Sequence, residues 1–298
     1  MVRYRDPLRR AFHPMFRASP GRSACIFCLL VLVLLASCAP TFLYRHADRL
    51  VTWKVDDYFD LRSEQKQFVR SRVQSILASH RREALPVYEA FLAEVKHRSA
   101  DGITRQEVDW AFARYEQLKQ DLFQRVSGDA VLFLTSINEG QVRYLEHVFR
   151  KEQDKWQHLL GVPVSERLDR RASDTVRWLT DWLGTLTKDQ RDRVVELSRR
   201  LPDVQRIRLE YRSARQRQFV ETLWKTREPA ALIHGLANLM LAPMNEAPPT
   251  YRAAMERFEH AVRDMIVEVD QMITPQQRSH ALGKLQELID DIHQLRVS

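Results

Sequence analysis

Four groups of residues in this 298-residue chain have the types and spacing to do chemistry. Asp56, Asp57 and Asp60 put three carboxylates within five positions, enough negative charge to hold a cation or a basic partner. Trp53, Tyr58 and Phe59 beside them are of the types that anchor protein interfaces. Glu94-x-x-His97 has the i, i+3 spacing that sets a carboxylate and an imidazole on one side of a helix, as in di-metal carboxylate bundles. Such a site needs a second copy and two more Glu from neighbouring helices, and Asp290-x-x-His293 is the nearest second copy. Residues 199–227 carry eight Arg and Lys225 against Asp203, Glu210 and Glu221, a local excess of +6. Arg206, Arg208, Arg212, Arg215 and Arg217 make its candidate basic surface, suited to anionic headgroups or acidic clients. Cys25-x-x-Cys28 has the spacing of a redox or metal pair.

Each group also has a plain structural reading. Asp60 can cap the helix that follows it while the aromatic residues pack inward. Arginine stems can cover apolar surface with their heads in water. Glu94, His97, Asp290 and His293 read as exposed polar residues near helix ends. The chain contains no glycine-rich phosphate loop, no G-x-S-x-G and no H-E-x-x-H. The expectation is therefore a protein that acts by binding, not an enzyme, with no metal or other cofactor beyond a covalent lipid.

That lipid is expected on Cys38. Residues 1–37 hold a basic stretch with six arginines and one aspartate, an apolar run from Ile26 to Ala36, and then Leu35-Ala36-Ser37-Cys38. The run is shorter than the ~20 residues a helix needs to cross a bilayer. Its order of basic, apolar and small residues is that of a secretion signal, and the cysteine resembles that of a lipobox. Cleavage before Cys38 would leave residues 38–298, lower the formal charge from +8 to +3, and discard Cys25 and Cys28. The basic balance then belongs largely to the leader, which argues against a nucleic-acid partner. Ala39 after the cysteine, where Asp would favour inner-membrane retention, points to the periplasmic face of the outer membrane.

The elements that must position these groups read as helices nearly throughout. Leu, Ala, Glu, Gln, Lys and Arg dominate, and stripes such as Ala281, Leu285, Leu288, Ile292 and Leu295 recur every three or four residues. The predicted helices lie near 43–58, 63–98 with a kink at Pro86, 104–136, 139–159, 165–184, 187–200, 203–226, 228–241, 249–272 and 275–296. A hinge is expected near 161–164, at Gly161-Val162-Pro163. Capping boxes punctuate them: Ile103-Thr104-x-x-Glu107, Ile137-Asn138-x-x-Gln141, Leu186-Thr187-x-x-Gln190 and Ile273-Thr274-Pro275-x-Gln277, with Leu61-Arg62-x-x-Gln65 as a degraded fifth. In each, the fourth-position side chain is expected to reach back to the backbone N–H of the cap residue. The fold class that follows is all-α, a multi-helix bundle of antiparallel hairpins.

The boxes resemble the LTxxQ motif of Spy- and CpxP-type periplasmic stress proteins, which implies a chaperone-like or envelope-stress role. The lipobox, Trp53 with Val55-Asp56-Asp57-Tyr58-Phe59-Asp60-Leu61 and Glu64-Gln65, and His80-Arg81-x-Glu83-x-Leu85-Pro86 resemble a family of uncharacterised helical lipoproteins. That resemblance implies a membrane held through the lipid and an envelope partner or client. A structural adaptor that docks an envelope assembly, through Trp53 to Asp60, is the alternative function.

Overall fold

The computed structural model describes residues 44–297, so the leader and the lipidation expected at Cys38 lie outside the described residues. Within them run eleven α-helices and no strand: α1 (Ala47–Phe59), α2 (Ser63–Glu83), α3 (Leu85–Arg98), α4 (Arg105–Thr135), α5 (Glu139–Leu160), α6 (Val164–Leu183), α7 (Lys188–Arg200), α8 (Gln205–Lys225), α9 (Pro229–Leu241), α10 (Pro249–Met272) and α11 (Pro275–Val297). The chain is an all-α bundle. The helix expected over 63–98 is two, parted at Ala84. Pro86 has no N–H to offer the carbonyl four residues back, but in the first turn of a new helix that loss costs nothing. The backbone ladder resumes at once, with Tyr88 N–H donating to Ala84 O at 3.0 Å.

Helix starts are where the sequence pattern acquires a second role. Gln190 accepts from Thr187 N–H at 3.0 Å, and Gln277 accepts from Thr274 N–H at 2.9 Å, as capping boxes require. The same two amides then meet each other in the interior. Gln190 Nε2 donates to Gln277 Oε1 at 2.8 Å and Gln277 Nε2 returns the bond at 2.9 Å. Each also serves a loop carbonyl beside the partner box: Gln190 bonds Met272 O at 2.8 Å, and Gln277 bonds Thr185 O at 2.9 Å. Gln65 and Gln141 form a second reciprocal pair, at 3.2 and 2.8 Å, with Gln141 Nε2 also donating to Phe59 O at 3.1 Å. All four glutamines are buried. An amide can do this where a carboxylate cannot, because it carries two N–H donors as well as an acceptor oxygen. The box before α4 ends in Glu107, a carboxylate without a donor, and it stays at the surface with Thr104 as its partner. Arg62 has no acceptor, so its box keeps one half, Arg62 N–H to Gln65 Oε1 at 3.1 Å.

The two glutamine pairs divide the chain into paired hairpins. The α1/α2 hairpin faces α4/α5 through Gln65 and Gln141, and α6/α7 faces α10/α11 through Gln190 and Gln277. The halves interleave, since α11 packs on α3, α8 on α5, and α4 on both α9 and α10. One apolar cluster, holding Val142, Leu145, Leu223 and Leu232, joins α4, α5, α8 and α9. Another joins Tyr44, Leu85, Tyr88 and Leu118 to Leu285, Leu288, Ile292 and Leu295 of α11. Burying each such leucine contributes about 1.5–3 kcal/mol.

Helix ends are closed mainly by arginine. Arg171 donates to Ser198 O and Leu201 O at the end of α7, at 2.8 and 2.6 Å. Arg215 donates to Asn238 O and Leu239 O at the end of α9, at 3.0 and 2.8 Å. Arg227 closes α8 on Leu223 O and Thr226 O. Arg167 holds the turn over 161–163, bonding Leu160 O and Val162 O at 3.2 and 2.6 Å while pairing with Asp203. A cation at a helix C terminus satisfies orphan carbonyls and complements the helix dipole at once.

Candidate functional site between α1, α5 and α8

The α1 residues singled out in the sequence divide by role. Asp56 is engaged within its own turn: its Oδ1 accepts from Leu61 N–H at 2.8 Å and its Oδ2 pairs with Lys66 Nζ at 2.9 Å. The capping carboxylate of this turn is therefore Asp56, not Asp60, and it closes the end of α1 instead of starting α2. Asp60 is exposed and holds the left-handed conformation at φ 46°, a state Asp tolerates better than most residues. Asp57 is half-buried on α1, and Trp53 is half-buried with an indole N–H that has no hydrogen-bond partner.

Tyr58 is the member of the cluster with a long-range partner. Its hydroxyl donates to Glu152 Oε1 on α5 at 2.6 Å, and Arg212 Nη2 on α8 donates to Glu152 Oε2 at 2.6 Å. The ring meets Phe149 edge-on at 6.0 Å, and the Arg212 guanidinium lies 5.8 Å from the Trp156 ring. Burial, with the Glu152 carboxylate adding to it, raises the Tyr58 pKa far above the ordinary phenol value, so it remains a donor. Burial also lowers the Arg212 pKa, while the Glu152 charge opposes that shift. This triad links the acidic and aromatic segment to the Arg-rich helix through a residue, Glu152, that no spacing rule had pointed to.

The Arg-rich helix is not one basic face. Arg212 is committed to Glu152, and Arg215 is buried, capping α9 with its guanidinium 4.7 Å from the Tyr211 ring. Arg206, Arg208 and Arg217 are exposed. The two Glu/His-type pairs also stay apart. Glu94 pairs with Arg98 at 2.7 Å, Asp290 accepts from Gln286 at 2.8 Å, and His293 pairs with Glu89 at 3.3 Å. His97 lines a shallow groove between α3 and α11 with Lys96, Leu282, Gln286 and Ile289. Among the described residues no three His, Cys, Asp or Glu gather to hold a metal.

Another ionisable group is buried at the opposite end of α1. His80, 7% exposed, lies 3.1 Å from the Tyr44 hydroxyl, with the Tyr88 ring edge-on at 5.3 Å. Burial, reinforced by the charge of Arg125, pushes its pKa down to about 4. Sequence reasoning used His80 only as a mark of resemblance. The one signal for its burial was its place between Ile76, Leu77 and Leu85 on the helical stripe.

No curated protein and no solved structure shows significant similarity to the chain. A family model does: it matches residues 57–252, from Asp57 through Arg252, about two thirds of the sequence, and spans Tyr58, Glu152 and Arg212 together. The chain belongs to DUF6279, a family of unknown function.

Proposed function

We propose that the protein is a lipid-anchored cell-envelope protein that works by binding, as a docking or adaptor component of an envelope assembly. The observation that carries this reading is the exposure of residues of interface-forming type. Trp178 is 58% exposed, Trp224 41% and Tyr144 38%, and the Arg143 guanidinium lies 5.8 Å from the Trp224 ring. Trp, Tyr and Arg are the side chains that most often dominate binding energy, Trp and Tyr because their rigid rings bury large areas at little entropic cost. The lipobox at Leu35 to Cys38 supports the anchor, and Ala39 supports the periplasmic face of the outer membrane. A chaperone-like role drew on the boxes and the Arg-rich helix. Both have packing and capping roles in the fold, so they lend that role no separate support.

A photoreactive residue placed at 224, 144 or 178 of the full chain in cells tests the binding. One discrete adduct shared by 224 and 144 is expected, and its loss in an Arg143→Ser background. Absence of any specific adduct from all three positions would refute the reading. The anchor is tested separately by Cys38→Ala, which is expected to move the chain out of the membrane fraction.

A further inference from the structure

We propose that one particular end of the bundle rests on the phospholipid surface, with Arg45, Arg49 and Arg82 facing anionic headgroups. The proposal rests on the lipid-anchor reading and adds an orientation to it. Six residue steps separate Cys38 from Tyr44, which no backbone stretches beyond about 20–22 Å. Tyr44 already belongs to the bundle: it is 4% exposed, and its hydroxyl reaches Leu77 O at 3.3 Å and His80 Nδ1 at 3.1 Å. An anchor at Cys38 therefore holds this end close to the membrane. The thirteen residues of α1 carry the chain about 20 Å away, toward the Gln65–Gln141 end.

The residues gathered at the tethered end carry uncompensated positive charge. Arg45 follows Tyr44, Arg49 lies in the first turn of α1, and Arg82 follows Arg81, whose guanidinium sits 5.7 Å from the Tyr44 ring. All three are exposed, and none makes an ion pair among the described residues. Three of the nearby acids are engaged: Asp48 by Arg70 at 3.0 Å and Gln74 at 3.1 Å, Glu83 by Arg125 at 2.6 Å, and Glu89 by Arg296 and His293. Asp121, whose charge reaches Tyr88, makes no ion pair among the described residues and offsets one of the three arginines. Asp290 and Asp291 stand six to seven residues back from Val297, about 9–10 Å along α11. Arg170, Lys188, Arg200 and Lys225 are each paired to a carboxylate on their own helix. Arg206, Arg208 and Arg217 of α8 are exposed without an ion pair among the described residues, so what sets Arg45, Arg49 and Arg82 apart is their place beside the tether. The C terminus of α11 ends at the same place, since Leu295 packs in the cluster that holds Tyr44 and Leu85. Acyl chains fix the distance to a bilayer, and a basic patch beside them adds attraction to anionic lipid.

The test uses the full chain, processed in a Gram-negative host and purified from membranes. It is reconstituted in phosphatidylcholine vesicles with or without phosphatidylglycerol, a fraction of the lipid carrying a headgroup spin label. Fluorophores are attached after Arg82→Cys or, as the far-end control, Glu139→Cys, each in a chain whose Cys38 thiol is blocked by its acyl thioether. The expected result is strong quenching at 82, weak quenching at 139, and loss of the phosphatidylglycerol-dependent part when Arg45 and Arg49 are changed to Gln. That loss should amount to roughly fivefold per arginine in the contact equilibrium. Mass spectrometry of the same sample separates the two readings. Acylated Cys38 with equal quenching at 82 and 139 overturns the orientation alone, whereas unmodified Cys38 overturns the anchor and the orientation with it.

Discussion

Replacing Gln190 with Ala should be among the most damaging single changes outside the apolar clusters. The substitution removes four hydrogen bonds at 2.8 to 3.0 Å: those to Met272 O and Gln277 Oε1, and those received from Gln277 Nε2 and Thr187 N–H. Gln277 retains Thr274 N–H and Thr185 O, so the groups left without a partner are the Met272 carbonyl and the Thr187 N–H. At about 1 kcal/mol per net bond, with more for each stranded group, the cost comes to about 2–4 kcal/mol. Glu107→Ala breaks the corresponding box at the surface, where no cross-pair exists, and should cost far less. Urea unfolding followed by far-UV circular dichroism reads both from midpoint shifts at constant slope. The double variant Gln190→Ala, Gln277→Ala should cost about 1–2 kcal/mol less than the sum of its parts, because the second deletion breaks bonds already lost. If Gln190→Ala matches Glu107→Ala and the two glutamine changes add, the buried pair is not what holds the hairpins together.

Three further outcomes follow from the same geometry. His80 has a folded pKa of about 4 against an ordinary value of 6.5, so the unfolded chain binds the extra proton between those values. Stability should fall as pH drops from 6.5 to 4, by about 2–3 kcal/mol at most, and His80→Gln should flatten that part of a pH series of urea midpoints. Arg212→Ala should destabilise more than Tyr58→Phe, about 2–3 against 1–2 kcal/mol, because it strands the Glu152 carboxylate instead of removing one neutral donor; thermal melts of both variants and their double decide the order. Gly283→Ala and Gly128→Ala, helical positions with open space around an added Cβ, should each stabilise by about 0.5–1 kcal/mol, while Gly102→Ala at φ +139° should destabilise by about 1–3 kcal/mol.

Helix placement was legible because its signals are local. The boxes before α4, α5, α7 and α11 put those helix starts within a residue or two of where they stand. Ala84 was harder: Pro86 marks a disturbance, but whether a helix bends or restarts depends on what Leu85 and Tyr88 pack against, and that is α11, two hundred residues away. The site was less legible for the same reason. Arg212 and Arg215 differ by three positions and look alike in sequence, yet one holds a carboxylate on α5 and the other caps α9. Nothing within one helix predicts which arginines are turned inward, because the partner carbonyls and carboxylates belong to other helices. The glutamines of the boxes show the limit most clearly. Their role toward their own cap follows from spacing, and their role toward each other appears only once two helix starts are brought together.

The family match ends at Arg252, the fourth residue of α10, and this boundary cuts across the packing. Residues 57–252 contain both members of one glutamine pair, Gln65 and Gln141, but only Gln190 of the other. They also lack Leu285, Leu288, Ile292 and Leu295, the α11 residues that cover Leu85, Tyr88 and Leu118. A fragment ending at 252 would therefore present a buried amide to water and leave an apolar face of α3 uncovered. The expected outcome is a chain with helical far-UV dichroism but without a cooperative thermal transition, whereas residues 44–298 should melt in one step. A cooperative transition in the shorter fragment would mean that α11 only decorates a finished core. The cooperative unit inferred from the glutamine pairing is thus larger than the segment the family model recognises, and α11 is where the two differ.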